Sequence, residues 1–215
     1  MTDQAAVDVC EVFTSIQGES TWAGASCFFV RLAGCNLRCV YCDTPQAFAP
    51  GRPTPIDSLV ARFRASGASI AEITGGEPLL QRGFPALAAG LRDAGLGRPV
   101  LVETNGSCDL ALVPDRVVAV MDVKCPGSGQ CGSLDDRNIV RLRPLDEVKF
   151  VLTDRADYEW ARAFVARHEL DGRCGAVLFS PAHDRQSPAE LARWILDDRL
   201  PVRLQVPLHR LLGVK

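Results

Sequence analysis

Short runs rich in β-branched and aromatic residues alternate along the chain with stretches whose apolar positions recur every three or four residues. The first pattern has the period of a strand, the second that of an amphipathic helix. Strands are predicted over residues 9–15, 28–33, 69–74, 99–103, 117–123, 147–152, 176–179 and 202–205. Helices are predicted over 56–65, 84–94, 157–168 and 188–198. In the first helix Ile56, Leu59, Val60 and Phe63 share a face, with Asp57 or Thr54 available as a cap. Ser187 before Pro188 is a start signal, a capping hydroxyl followed by proline at the first helical position. The Pro/Gly-rich stretches 45–55 and 127–136 read as loops.

Strands joined by helices imply a mainly parallel sheet with right-handed crossovers. With about six such units and fewer residues than the ~250 of a closed eight-fold barrel, the expected fold class is α/β, a truncated, partial (β/α) barrel. No repeat, low-complexity tract or long linker divides residues 1–215, so one domain is expected. Function then belongs at the carboxyl ends of the strands. Polar residues gather there: Gly75-Gly76-Glu77-Pro78, Glu103-Thr104-Asn105-Gly106, Asp122-Val123-Lys124 and Ser180-Pro181 each follow an apolar run. Any one of them alone could be a strand-ending turn.

Composition narrows the partners. The 215 residues are 47% hydrophobic and carry a net charge of -2, enough for a core and without the basic field of a nucleic-acid or anionic-membrane binder. A small, discrete ligand is expected. No apolar run approaches the ~18 residues of a membrane span, and Met1-Thr2-Asp3-Gln4 is acidic, unlike a secretory signal. A cytoplasmic location is expected, where thiols stay reduced.

Nine cysteines then point to metal or catalysis. Cys35, Cys39 and Cys42 fall close together, whereas Cys10, Cys27, Cys108, Cys125, Cys131 and Cys174 are scattered and read as buried small apolar side chains. Cys125 and Cys131 also bracket a flexible loop, the other reading of which is a second metal site or a redox pair. Structural zinc wants four ligands, and the triplet supplies three with no histidine nearby. A cubic iron-sulfur cluster on three thiolates keeps one iron open, a vacancy suited to a ligand bearing an amine and a carboxylate.

The spacing C-x-x-x-C-x-x-C after an early strand, with Gly75-Gly76-Glu77-Pro78 at the next strand end, resembles the radical S-adenosylmethionine (SAM) superfamily. The flanks narrow the resemblance. Ser15-Ile16-Gln17-Gly18-Glu19, Phe29-Val30-Arg31-Leu32-Ala33-Gly34-Cys35-Asn36-Leu37, Cys42-Asp43-Thr44, Glu103-Thr104-Asn105-Gly106 and Leu208-His209-Arg210-Leu211-Leu212-Gly213 are similar to the 7-carboxy-7-deazaguanine synthase family. That family converts 6-carboxy-5,6,7,8-tetrahydropterin to 7-carboxy-7-deazaguanine with loss of ammonia, toward queuosine and other deazapurines. The resemblance implies a radical SAM partial barrel and a homodimer.

It also implies roles. Cys35, Cys39 and Cys42 would hold a 4Fe-4S cluster reduced by an external donor such as flavodoxin or ferredoxin. The reduced cluster would cleave SAM to a 5′-deoxyadenosyl radical that abstracts hydrogen from C6 of the pterin, with SAM regenerated afterwards. Thr44, beside Asp43, would bind Mg²⁺ through its hydroxyl, sharing the ion with the substrate carboxylate; without the resemblance, Thr44-Pro45 shapes a turn. Arg31 would pair with that carboxylate. Gln17 with the Ile16 and Gly18 backbone, Glu19, Glu103 and Thr74 would serve the substrate, reading the amide and amino edge of the pterin. Gly75, Gly76, Glu77, Asp122, Val123, Lys124, Ser180, Pro181, Ala182 and His183 would meet SAM, Glu77 either as acceptor or as rigid packing. His209 would touch substrate, although a lone histidine is often structural; His168 and His183 have weak claims. Two departures stand out: Ser20 replaces a glycine usual after Gln-Gly-Glu, and Gly213-Val214-Lys215 differs from endings that offer a terminal carboxylate to substrate.

Two other readings exist. A glycyl-radical activase of the same superfamily needs a docking surface for a protein substrate, whereas Gln17-Gly18-Glu19 and Arg31 suit a small carboxylated one. A non-catalytic iron-sulfur or zinc module leaves Gly75-Gly76-Glu77-Pro78 and Thr44 unexplained.

Overall fold

The chain enters its sheet through an antiparallel hairpin. In the computed structural model, which describes residues 5–215, β1 (Ala6–Ile16) pairs with β2 (Ser26–Leu32), placing Glu11 opposite Arg31 and Phe13 opposite Phe29. β3 (Arg52–Pro55) pairs with the outer edge of β1. That stretch reads as loop from its prolines, and the correction is physical: at a sheet edge a missing N–H breaks no second ladder.

From β2 onward every pairing is parallel. β4 (Ile70–Gly75), β5 (Val100–Thr104), β6 (Val117–Asp122), β7 (Glu147–Leu152), β8 (Ala176–Pro181) and β9 (Arg203–Leu204) complete a nine-stranded sheet in the order β3-β1-β2-β4-β5-β6-β7-β8-β9. β3 and β9 are its two ends, so the barrel is open, as expected from the length. Helices α1 (Ile56–Ser66), α2 (Phe84–Ala94), α3 (Arg137–Arg141), α4 (Arg155–His168), α5 (Leu170–Arg173), α6 (Pro188–Asp197) and α7 (Leu208–Leu212) connect and follow the strands. The short α3, α5 and α7 lack the length for a readable period.

Side-chain caps start α4 and α6 but not α1. Ser187 accepts from the Glu190 N–H at 3.4 Å, and Asp154 from that of Asp157 at 2.9 Å. Neither Thr54 nor Asp57 is the cap of α1: that position is Pro55, because β3 runs directly into the helix. Thr54 Oγ1 instead donates to the Arg52 carbonyl, and Asp57 lies in the first turn, where its charge suits the helix dipole.

The larger core lies between sheet and helices, with Phe63, Phe84, Leu91, Phe150 and Tyr158 buried together. The opposite face holds a smaller cluster of Cys27, Phe29, Ile70, Leu101, Val118 and Val120. Side chains alternate along a strand. Two residues further on, the same face therefore presents Arg31, Glu72, Glu103 and Asp122, joined from β7 by Lys149 opposite Asp122. One face is thus apolar toward the strand starts and charged toward the carboxyl ends.

The scattered cysteines are less uniformly buried than expected. Cys27 and Cys125 are buried, Cys10, Cys108 and Cys174 half-buried, and Cys131 exposed on its loop; none is disulfide-bonded. No three His, Cys, Asp or Glu side chains among the described residues are placed to hold a single ion, so Cys125 and Cys131 gain no further ligand. Among the described residues no helix is long and apolar enough to cross a membrane.

Candidate active site

After β2 the chain turns at Gly34, whose φ of +89° suits a residue without Cβ and whose N–H donates to the Ala47 carbonyl at 2.7 Å. The loop that follows is held by its own atoms. Leu37 is buried beneath it, and the Arg38 guanidinium lies 4.2 Å from the Phe48 ring centroid while donating to the Cys35 and Leu37 carbonyls at 2.8 and 2.7 Å. Cys35, Cys39 and Cys42 carry free thiols on one pocket. Three thiolates from one short loop are the donor set that cysteine-ligated iron-sulfur clusters use. Burial pushes the Cys39 thiol up, with the nearby Lys124 charge opposing.

The glycine segment packs against the start of this loop. Gly75 has φ +137°, and a Cβ there would lie 2.1 Å from the Leu32 carbonyl oxygen. A Cβ on Gly76 would lie 2.0 Å from the Gly34 oxygen and 2.8 Å from Cys35 Cβ. The Gly76 N–H donates to Leu32 at 3.1 Å and that of Glu77 to Gly34 at 2.8 Å, continuing the parallel ladder into the cysteine loop. Glu77 turns away from the pocket. Its buried carboxylate accepts from Leu79 N–H (3.0 Å), Thr104 Oγ1 (2.9 Å) and Asn105 N–H (2.6 Å), tying the ends of β4 and β5 together. Burial raises its pKa and these three donors oppose the rise.

Opposite the cysteines, residues 17–25 cross the mouth of the sheet. Gln17 is locked inside: its Nε2 donates to Glu72, and its Oε1 accepts from the Glu19 N–H at 3.1 Å. Ser20 has φ +61° and donates its N–H to Gln205 Oε1 at 2.7 Å. Thr21 donates to Glu147 through both N–H and hydroxyl. Gly18 admits His209, since a Cβ would fall 1.9 Å from its Nδ1, and the Leu208 N–H donates to the Gly18 carbonyl at 2.9 Å.

The floor is charged. Lys149 Nζ pairs with Glu19 at 2.7 Å and Glu103 at 2.9 Å, while Lys124 pairs with Asp122 at 2.9 Å. Burial opposes the charge on Lys149, but Glu103, Glu19 and Asp122 outweigh it and hold its pKa well above the lysine range. Burial, reinforced by Glu103, raises the carboxyl of Glu72 well above normal. Asp122 Oδ1 and the Tyr41 hydroxyl are buried without a partner, and both residues line the pocket. Groups of that kind call for a polar ligand.

The sequence model of the Radical SAM superfamily matches residues 30–122, from β2 through β6 with the cysteine loop between. Similarity over the whole chain is more specific. The chain is 42% identical over 221 residues to the 7-carboxy-7-deazaguanine synthase of Koribacter versatilis, covering 96% of each. It is also 42% identical over 214 residues to that of Chlorobaculum tepidum, covering 98% of this chain and 96% of the relative. The chain belongs to the 7-carboxy-7-deazaguanine synthase family. Its fold agrees: the crystal structure of QueE from Escherichia coli superposes with a TM-score of 0.77 at 20% identity, covering 95% of both chains. Streptococcus suis SuiB bound to S-adenosylmethionine is a more distant likeness, with TM-score 0.57 and 15% identity over 80% of this chain and 48% of that one.

For this family member most residues singled out by motif converge. Ile16, Gln17, Gly18, Glu19, Arg31, Thr74, Glu103 and His209 line the pocket shared by the three cysteines and Thr44. Gly75, Gly76, Asp122, Lys124 and the Ser180 to His183 segment line it too. Glu77 and Val123 do not. Glu77 is the brace just described, and Val123 points into the core because strand alternation turns it from its neighbours Asp122 and Lys124. Arg31 Nε donates to Glu11 at 2.8 Å, which orients the rest of its fork. Thr44 Oγ1 donates to Asp43 at 3.0 Å, and Arg210 donates to the other Asp43 oxygen at 2.6 Å. Burial raises the Asp43 pKa, but these two donors win and hold it below the usual range. His168 packs on Phe164, 4.3 Å between ring centroids, away from the pocket. Glu72, Lys149, Asn105, Tyr41 and Arg210 also line the site without having been singled out. For Glu72 and Lys149 the signal is a charge inside an apolar parallel strand, Ile70–Gly75 and Glu147–Leu152, where burial demands a partner.

Proposed function

We propose that this chain contracts 6-carboxy-5,6,7,8-tetrahydropterin to 7-carboxy-7-deazaguanine with release of ammonia, on the route to queuosine and related deazapurines. The observation that carries this reading is that three free thiols, a side-chain-free glycine ledge and a carboxylate-rich floor border one pocket. Cys35, Cys39 and Cys42 would hold the 4Fe-4S cluster, which together with SAM would supply the radical chemistry that takes hydrogen from the pterin.

The chain's own residues do the rest by binding and placing. Gly75 and Gly76 let a cofactor amine approach the backbone, and the unpartnered Asp122 Oδ1 and Tyr41 hydroxyl are satisfied by bound SAM. Arg31, oriented by Glu11, takes the substrate carboxylate in a fork-to-carboxylate pair. Thr44, whose hydroxyl sits on Asp43, offers the hard oxygen that Mg²⁺ prefers and places the ion near that carboxylate. Glu103 and Thr74, hydrogen-bonded to each other at 3.1 Å, face the heterocycle's amide and amino edge. Side chain of Gln17 serves mainly to hold its own loop, so its backbone neighbours Ile16 and Gly18 carry the direct contact. His209, seated on Gly18, closes that side. Residues 1–215 act as one cytoplasmic domain, paired as a homodimer and reduced by flavodoxin or ferredoxin.

The test is anaerobic reconstitution with iron and sulfide, giving about four irons per chain, followed by SAM, reductant and the pterin. Equal amounts of 7-carboxy-7-deazaguanine and ammonia are expected. SAM cleavage without any deazapurine would overturn the reading. Thr44→Ala is expected to weaken the dependence of turnover on Mg²⁺; an unchanged Mg²⁺ titration would remove that residue from the metal site.

A further inference from the structure

One buried ammonium stands among the carboxylates of the floor, on a strand that no motif marks. Lys149 lies in β7, with its side chain 7% exposed, and Nζ reaches Glu19 Oε2 at 2.7 Å, Glu103 Oε1 at 2.9 Å and Asp122 Oδ2 at 3.9 Å. Asp122 is balanced by Lys124 at 2.9 Å. Two carboxylates therefore share one ammonium, leaving one formal negative charge on the floor. We propose that Lys149 is a positioning residue that fixes Glu19 and Glu103 as a paired acceptor for the N–H edge of an aminopyrimidinone ring, so that the pocket selects a 2-amino heterocycle over its 2-oxo counterpart. This rests on the functional reading above.

The hydrogen-bond inventory supports it. Glu103 accepts from Lys149 through Oε1 and from Thr74 Oγ1 through Oε2 at 3.1 Å; Glu19 accepts from Lys149 and from Gln205 Nε2, the latter at 3.1 Å, both through Oε2. An ionised carboxylate offers about four lone-pair sites, so both keep acceptor capacity after these bonds. A 2-amino-4-oxo pyrimidine edge presents a ring N–H beside an exocyclic N–H, the geometry a carboxylate accepts in parallel. A 2-oxo ring instead sets an oxygen lone pair against carboxylate lone pairs, a mismatch that a buried site punishes. Lys149 makes the arrangement possible because two neighbouring carboxylates without it would repel, and one would take up a proton and turn from acceptor into donor. The other carboxyls on this face are already committed: Glu72 to Gln17 Nε2, Glu147 to the Thr21 N–H and hydroxyl, and Glu11 to Arg31 Nε.

The experiment measures binding apart from turnover. Calorimetric titrations of reconstituted, SAM-loaded wild type and Lys149→Met with 6-carboxytetrahydropterin and its 2-oxo analogue give two affinities per protein. Wild type is expected to favour the 2-amino ring. In Lys149→Met the pterin is expected to bind about 10- to 100-fold more weakly, the loss of a charge-supported hydrogen-bond pair, with the preference collapsing toward unity and SAM affinity retained. Should Lys149→Met fail to fold, Lys149→Gln, which keeps amide donors without the charge, is expected to show the same collapse. Lys149→Arg restores the charge and is expected to recover the preference. A merely structural lysine would lower Tm and leave the preference intact, and that result in either neutral variant overturns the proposal. A wild type that binds no pterin overturns the functional reading and this inference together, whereas equal pterin binding by wild type and variant overturns only the inference.

Discussion

Gly76→Ala is the substitution on which the link between glycine ledge and cysteine loop can be measured. The added Cβ would sit 2.0 Å from the Gly34 oxygen, 2.4 Å from the Gly34 carbonyl carbon and 2.8 Å from Cys35 Cβ. Ordinary contact begins at about 3.5 Å, so the backbone of the cysteine loop must retreat by more than about an ångström. It cannot swing freely, because the Gly34 N–H is bonded to Ala47 at 2.7 Å and its carbonyl accepts from Glu77 N–H at 2.8 Å. Overpacking of this kind costs about 1–3 kcal/mol, or roughly 2–12 °C in Tm at about 2–4 °C per kcal/mol for a chain of this size. A misplacement of about 1 Å costs reactivity on the order of 100-fold. Iron content after reconstitution, Tm, and the rate of deazapurine formation from the pterin separate these effects. We expect a folded protein with a modest drop in Tm and a rate about 100-fold lower. Gly67→Ala is the control: at φ +66° with open space around it, it strains a left-handed position by about 1 kcal/mol and is expected to leave the rate unchanged. A Gly76→Ala protein whose rate matches wild type would refute the reasoning.

Glu77→Ala leaves the Leu79 and Asn105 N–H groups and the Thr104 hydroxyl without their buried acceptor; a loss of about 3–5 kcal/mol is expected in urea unfolding, and an unchanged midpoint would contradict the brace. Glu72→Gln should flatten a pH dependence. Because the folded state raises the Glu72 pKa, it retains a proton that the unfolded chain releases in the ordinary glutamate range, so this group's contribution falls as pH rises between the two, by about 1.4 kcal/mol per pKa unit. The variant is expected to gain on wild type at pH 8 and not at pH 4, and an equal offset at both pH values would defeat this assignment. Gly18→Ala drives a Cβ to within 1.9 Å of His209 Nδ1; displacement of α7 is expected to raise KM for the pterin at least about tenfold, against which an unchanged KM would count.

What the chain reveals before folding divides along physical lines. The parallel strands were legible because burial on both faces demands continuous apolar runs, and the open sheet followed from their number. β3 was hidden by Pro53 and Pro55, which only an edge position tolerates. The cysteine loop and the glycine segment are local signals, so their chemistry could be read directly. Glu72 and Lys149 could not be placed, because their meaning depends on which strands are neighbours and in what register, and no local period carries that. Glu77 shows the converse: its motif marks the right strand end, but only burial decides that the carboxylate braces β5 instead of meeting a ligand. Ser20, which departs from the usual glycine, sits at φ +61°, a left-handed position that costs a side chain some strain.

The most direct measurement uses pterin deuterated at C6, incubated anaerobically with reconstituted protein, SAM and reductant. The account requires the label to appear in 5′-deoxyadenosine or in recovered SAM, alongside deazapurine. Deuterium released to solvent while SAM stays unlabelled would contradict hydrogen abstraction at that carbon and the function assigned to this pocket.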